Sequence, residues 1–144
     1  MVGYSGTPLS AKIGIRDGDA VLTVNAPGDF KRWLEPLPAE ARLSSRIRKA
    51  DVVVMFCRSD TELRRVLPRA MRAIGPAGMI WVAWPKKASG ITSDLQTRHV
   101  MMSTMLPTGL VDVKVGAISE VWSGLKFVVR KKQRHTWSEP GAPL

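Results

Sequence analysis

The chain has 144 residues, enough for one domain with a real hydrophobic core and too few for two comfortable ones. Its hydrophobic content of 44% is ordinary for a globular protein, and no run approaches the ~20 apolar residues that span a bilayer, which excludes a membrane helix. With 22 Lys and Arg against 12 Asp and Glu, the formal net charge of +10 favours anionic partners, while the single cysteine, Cys57, excludes an internal disulfide and a multi-cysteine metal site.

The first residues, MVGYSGTPLSAKIG, hold no basic segment followed by an apolar one, so a secretory leader is not expected and a cytoplasmic location is. Thr7 and Pro8 read as a capping hydroxyl and a first-turn proline, opening a short helix over residues 8–13 that Gly14 stops. After the RDGD turn, AVLTVN (residues 20–25) reads as a buried strand that ends at Asn25-Ala26-Pro27-Gly28. Asp29 is placed to cap a short helix that Pro36 must end. A weak strand is expected near residues 41–44, and the β-branched run DVVVMFC (51–57) is a strong one.

Ser59 and Glu62 make a capping-box pattern ahead of Leu63, Val66, Leu67, Ala70, Met71 and Ile74, which recur at helical spacing; Pro68 falls inside this helix and Gly75-Pro76-Ala77-Gly78 ends it. MIWVAW (79–84) is the next strong strand. Ser93 and Gln96 repeat the capping pattern before a helix expected to run to about Leu106, where Pro107 and Gly109 stop it. In LVDVKVGAI, Val111, Val113, Val115 and Ala117 alternate with polar or small residues, and Leu125, Phe127 and Val129 do so in VWSGLKFVVR. The few residues between these two strands force them to pair antiparallel. Residues 1–130 thus predict one α/β domain, a three-layer, doubly wound, mostly parallel sheet of about six strands with a C-terminal antiparallel hairpin. Residues 131–144, basic and without apolar periodicity, read as a disordered tail.

This order of parts resembles a shortened class I S-adenosylmethionine-dependent methyltransferase fold, a Rossmann-like layout. RDGDAVLTVNAPGDF is similar to that family's first strand and cofactor loop, IGPAGMIWVAWP to its turn and following strand, and GLVDVKVGAISEVWSGLKFVVRKK to its closing hairpin. The resemblance implies S-adenosylmethionine as cofactor, with an incomplete motif. The family's loop carries an acidic residue and G-x-G where this chain has Asn25 to Gly28, and its ribose-binding acid has no counterpart in ARLSSRIRK. The chain also resembles an uncharacterised bacterial family of short proteins through GYSGTPL (3–9), NAP (25–27), WPKKASG (84–90) and WSGLKF (122–127).

Ligands of open α/β sheets bind beyond the carboxyl ends of the strands, near the point where strand order reverses. The segments expected there are 25–29, 57–60 and 84–94. Lys86 and Lys87 supply charge, Ser89 and Gly90 a loop for close approach, Asn25 and Gly28 a second wall, and Arg58 a converging cation. The expected ligand is an anionic small molecule bearing phosphate or carboxylate, bound without methyl-transfer chemistry. The bland alternative makes the lysine loop a solvated surface. The rivals are an active methyltransferase with an atypical cofactor loop and a basic protein that associates with nucleic acid or acts as a scaffold. For the last, Arg65, Arg69 and Arg72 share one helix face and the tail adds further cations. Cys57 reads as a packed thiol, and His99 and His135 are placed for neither a metal site nor an acid–base pair.

Overall fold

The computed structural model describes residues 7–141, so the start of the GYSGTPL segment lies outside the described residues. The elements follow the chain as α1 (Leu9–Ile13), β1 (Ala20–Val24), α2 (Phe30–Trp33), β2 (Arg42–Ser44), β3 (Ala50–Phe56), α3 (Asp60–Ala73), β4 (Ile74–Pro85), α4 (Arg98–Met105), β5 (Leu110–Ala117) and β6 (Trp122–Val129). The strands form one six-stranded sheet in the order β2-β1-β3-β4-β6-β5. The β2, β1, β3 and β4 neighbours pair in parallel, and β6 pairs antiparallel with both β4 and β5. This is the mixed α/β sheet with a closing hairpin that the sequence predicts.

The residue types explain the layers. Every residue of β1 is buried, and β3 is buried throughout except at Asp51. Strands covered on both faces are expected to lose the apolar–polar alternation, as these do. On one face Leu63, Leu67 and Ala70 of α3 and Met101 and Met105 of α4 pack with Leu22, Val53, Met55, Ile80 and Val82. On the other, Ile13 of α1 and Phe30 of α2 pack with Val21, Val52, Val54, Phe56 and Trp81. Trp81 is fixed there because its Nε1 donates to the Ile13 carbonyl at 2.9 Å, a bond that satisfies the indole's only donor in the core.

Several local expectations are corrected. The long helix stops at Ala73, ahead of residues 75–78, but Ile74 is not its last residue: β4 begins there, and its ladder with β3 passes from Ala50↔Ile74 to Val52↔Met79 with 75–78 bulged out. Gly78 permits this fold-back, since a Cβ there would lie 2.6 Å from Ile74 Cβ. The helix expected from Ser93 starts later. Asp94–Gln96 forms a single 3-10 turn and α4 begins at Arg98. Ser93 Oγ does accept from the Leu95 amide, but the Gln96 side chain donates to the carbonyls of Pro85 and Ile91 instead of closing a capping box. Asp29 holds the N-cap of α2 without a side-chain capping bond.

Val113 and Val115 do not face the core as their alternation predicts; they are 54% and 65% exposed. A register shift between Asp112 and Lys114 resets the faces, and β5 is an edge strand that no helix covers at that end. Of the segment read as a disordered tail, residues 137–141 dock on the domain. Lys131–Thr136 forms 3-10 turns, the Trp137 Nε1 donates to the Ile74 carbonyl at 3.0 Å, and the Gly141 amide donates to the Arg72 carbonyl at 2.6 Å. Trp137 supplies the apolar contact that the polar composition conceals, against the α3 side of the core.

Candidate functional site

The strand order reverses at β1, whose neighbours are β2 and β3, so the carboxyl ends of β1 and β3 define the crevice where this class of sheet binds ligands. A cleft of about 390 Å³ opens there. One wall is the turn after β1, where Asn25 takes a left-handed φ of 56° and is followed by Ala26 and Pro27. Phe56 ends β3 and Arg58 follows it in the loop to α3, Glu62 reaches in from α3, Ile91 from the loop after β4, and Trp122 with Val121 from the hairpin. Phe56 and Trp122 stack edge to face with centroids 5.0 Å apart and leave a rigid aromatic floor.

The charges are asymmetric. Glu62 is spoken for: its Oε1 accepts from the Arg58 amide at 3.1 Å and its Oε2 lies 3.8 Å from the Arg65 guanidinium. The Arg58 side chain is exposed and, among the described residues, pairs with no carboxylate. The cleft therefore offers one unpaired guanidinium beside an aromatic surface. Cys57, next in the chain, does not contribute. Its thiol is fully buried, and burial, reinforced by the nearby Glu62 charge, pushes its pKa up to about 12, which removes the thiolate a nucleophile needs.

Of the residues expected at the site, Asn25 and Arg58 line the cleft and the others do not. Gly28 is exposed, and a Cβ there would meet nothing within 4 Å, so it is not a close-approach glycine of the protein itself. Ser89 and Gly90 shape their own loop. Ser89 Oγ donates to the Lys86 carbonyl at 2.6 Å and accepts from the Ile91 amide at 3.2 Å, and Gly90 closes the Lys87–Ser89 turn at a φ of 79°. Lys86 uses its amide to bond the Val121 carbonyl at 2.8 Å, and its side chain and that of the exposed Lys87 stand outside the lining.

The helix end expected behind the lysines is likewise absent, because Asp94–Gln96 is one turn only. Asp94 serves a different helix: its Oδ1 accepts from the Asp60 amide at 2.8 Å at the start of α3, where Ser59 Oγ also accepts from Glu62. That positive helix end is thus satisfied by protein oxygens. Asp60 in turn is held below the ordinary carboxylate range, since hydrogen bonds from Thr104 and Arg64 and the Arg64 charge outweigh its burial. The lining residues that lie outside the three expected segments are Phe56, Glu62, Val121 and Trp122, while Ile91 falls within 84–94. Trp122 carried a signal as an aromatic at the hairpin end opposite Pro85, its ladder partner.

The residues present do not fit S-adenosylmethionine in the manner its donor requirements demand. Asn25 and Pro27 stand where a glycine pair would let a ligand approach the backbone, and the end of β2 carries Ser44, Ser45 and Arg46 with no carboxylate for a ribose. Among the described residues no three His, Cys, Asp or Glu side chains group to hold a metal ion, and no helix is long and apolar enough to cross a membrane.

Comparison with known proteins places the fold. The model of a family described as protein of unknown function (DUF3052) matches residues 43–131. No curated protein matches the chain by sequence. Among solved structures, the DhpI–SAH complex superposes with a TM-score of 0.59 at 11% identity, covering 86% of this chain and 83% of that one. A SAM-dependent methyltransferase from Aquifex aeolicus gives 0.53 at 12% identity, with 83% and 87% covered. A protein from Bordetella parapertussis, described as a possible exported protein, gives 0.57 at 9% identity; 85% of this chain spans 65% of that one. Identities this low establish the methyltransferase-like fold alone.

Proposed function

We propose, for a chain that belongs to the DUF3052 family, that the domain binds an anionic small molecule in the cleft at the carboxyl ends of β1 and β3 and performs no methyl transfer. The observation that carries this reading is the unpaired Arg58 guanidinium at the rim of a cleft floored by Phe56 and Trp122. A guanidinium presents a planar fork of donors that matches a carboxylate or phosphate, and an aromatic floor favours a flat or apolar ligand body. Asn25 adds a short polar side chain on the opposite wall. Lys86 and Lys87 lie outside the lining and contribute only to the positive field around the loop. Binding rather than turnover is favoured by the cleft's chemistry. Its lining holds two charged side chains, Arg58, which can only donate hydrogen bonds, and Glu62, which is already hydrogen-bonded.

The test is a thermal-shift and calorimetric series with S-adenosylmethionine, adenine nucleotides and phosphorylated or carboxylated aromatics on wild type, Arg58→Ala and the Lys86→Ala, Lys87→Ala pair. A ligand at ~100 times its Kd stabilises the folded state by about 2.7 kcal/mol. The expected result is a shift that disappears in Arg58→Ala and largely survives in the lysine pair. Equal shifts in wild type and Arg58→Ala, or no shift with any compound, overturns the reading; tight S-adenosylmethionine binding independent of Arg58 replaces it with cofactor binding.

A further inference from the structure

The outer half of the sheet carries charges that the protein does not neutralise. Lys114 of β5 and Lys126 of β6 are directly opposed in the antiparallel ladder. Lys126 also pairs with Trp81 of β4, whose indole packs on the α1 side, so both lysines project on that side of the sheet. There Lys114 Nζ lies 3.4 Å from the Lys12 carbonyl of α1, and Lys126 Nζ lies 3.7 Å from where a Cβ on Gly14 would stand. Arg16 completes the group. Burial, then the charges of Lys114 and Arg16, hold the Lys126 ammonium below its ordinary pKa.

Like charges opposed across strands destabilise a ladder. A fold without use for them would place a carboxylate nearby, yet among the described residues Lys12, Arg16, Lys114 and Lys126 form no ion pair. Asp17 and Asp19, which flank Arg16 in sequence, each turn an oxygen to a backbone amide, Asp19 to Arg16 and Asp17 to Ala39, and neither forms an ion pair with the group. The opposite face of the same hairpin is balanced, since Asp112 pairs with Arg98 at 2.6 Å.

We propose that the α1-side face of the β5–β6 hairpin is a docking surface for the phosphodiester backbone of a nucleic acid. Arg16 and Lys114 are exposed and Lys12 and Lys126 half-buried, an open arrangement that suits an extended polyanion held by several phosphate contacts. The net charge of +10 adds long-range attraction of the same sign. An anionic bilayer fits less well, because surface-bound helices and strands there need apolar or aromatic anchors beside the cations. Val115, the most exposed large apolar residue among those described, pairs with Leu125 and projects on the other face.

The test is fluorescence anisotropy with labelled single-stranded RNA and duplex DNA of about 20 nucleotides, against salt, which reads phosphate contacts as a slope of roughly 0.9 per contact. It compares the full chain with Lys114→Gln, Lys126→Gln and with the charge-matched Lys131→Gln, Lys132→Gln. The hairpin variant is expected to bind at least about tenfold more weakly with a salt slope shallower by about 2, while the tail variant changes little. The hairpin variant should melt no lower than wild type, because its substitutions remove a repulsion and leave the core intact. Equal losses in both variants would reduce the effect to net charge and overturn the proposal. So would absence of binding at low salt, or lysine-dependent binding to phosphatidylserine vesicles in a protein that ignores the oligonucleotides.

Discussion

Replacing Trp137 with alanine removes the large apolar side chain by which the C-terminal segment meets the core, together with its bond to the Ile74 carbonyl at 3.0 Å. Truncating a fully buried tryptophan costs ~3–5 kcal/mol. Trp137 is half-buried, so about half of that applies, ~2 kcal/mol, of which the hydrogen bond accounts for ~1 kcal/mol. In a chain of this length each kcal/mol moves Tm by roughly 3–4 °C, so Trp137→Ala should melt roughly 7 °C below wild type. Trp137→Phe keeps most of the ring contact and loses the bond, and should fall by roughly half as much. The measurement is thermal unfolding by circular dichroism, with a chain cut after residue 130 as reference. The cut chain should match or exceed the loss of Trp137→Ala, since it also removes the Gly141 amide from the Arg72 carbonyl. Both point variants within ~1 °C of wild type would refute the docked segment and restore a free tail.

Two further effects follow from packing and titration. Gly124→Ala places a Cβ 2.9 Å from Ile118 Cγ1 and 3.0 Å from Trp81 Cε3; Trp81 is pinned by its bond to Ile13, so the overpacking should cost ~1–3 kcal/mol, read as a lower denaturation midpoint in urea. A midpoint equal to wild type would mean that Ile118 yields freely. Asp60 is more acidic folded than unfolded, so its contribution to stability is present above its unfolded pKa of about 4 and is lost as pH falls through the lower folded value. The gap in Tm between wild type and Asp60→Asn should therefore be widest near neutrality and close towards pH ~3. A gap independent of pH would locate the effect in packing rather than charge.

How far the sequence was legible depends on the range of the contact involved. Strands such as β3 and the capped start of α3 are written in local residue types, β-branched runs and a Ser59–Glu62 pattern, and the structure keeps both. The Ser93–Gln96 pattern looks the same locally. It fails because Gln96 and Asp94 also bond to groups outside that window, the Pro85 carbonyl and the Asp60 amide of α3. Val113 and Val115 misled for a related reason, as a one-residue register shift turns an alternating pattern out of phase. At the site, the carboxyl edge was readable from topology, and with it Asn25 and Arg58. The aromatic floor was not, because Phe56 and Trp122 lie on strands far apart in sequence that meet only through the intervening β4.

The position of β6 has a consequence for the order of assembly. It lies between β4 and β5 in space but follows both of them in the chain. While the ribosome is still adding it, β4 presents an apolar edge with its backbone groups unpaired, and β5 has no neighbour to join. Pairing of Trp122–Val129 with β4 closes that edge and gives β5 its partner. Until then the growing chain displays a template for pairing with other chains, so its exposure to aggregation should track how quickly β6 leaves the exit tunnel.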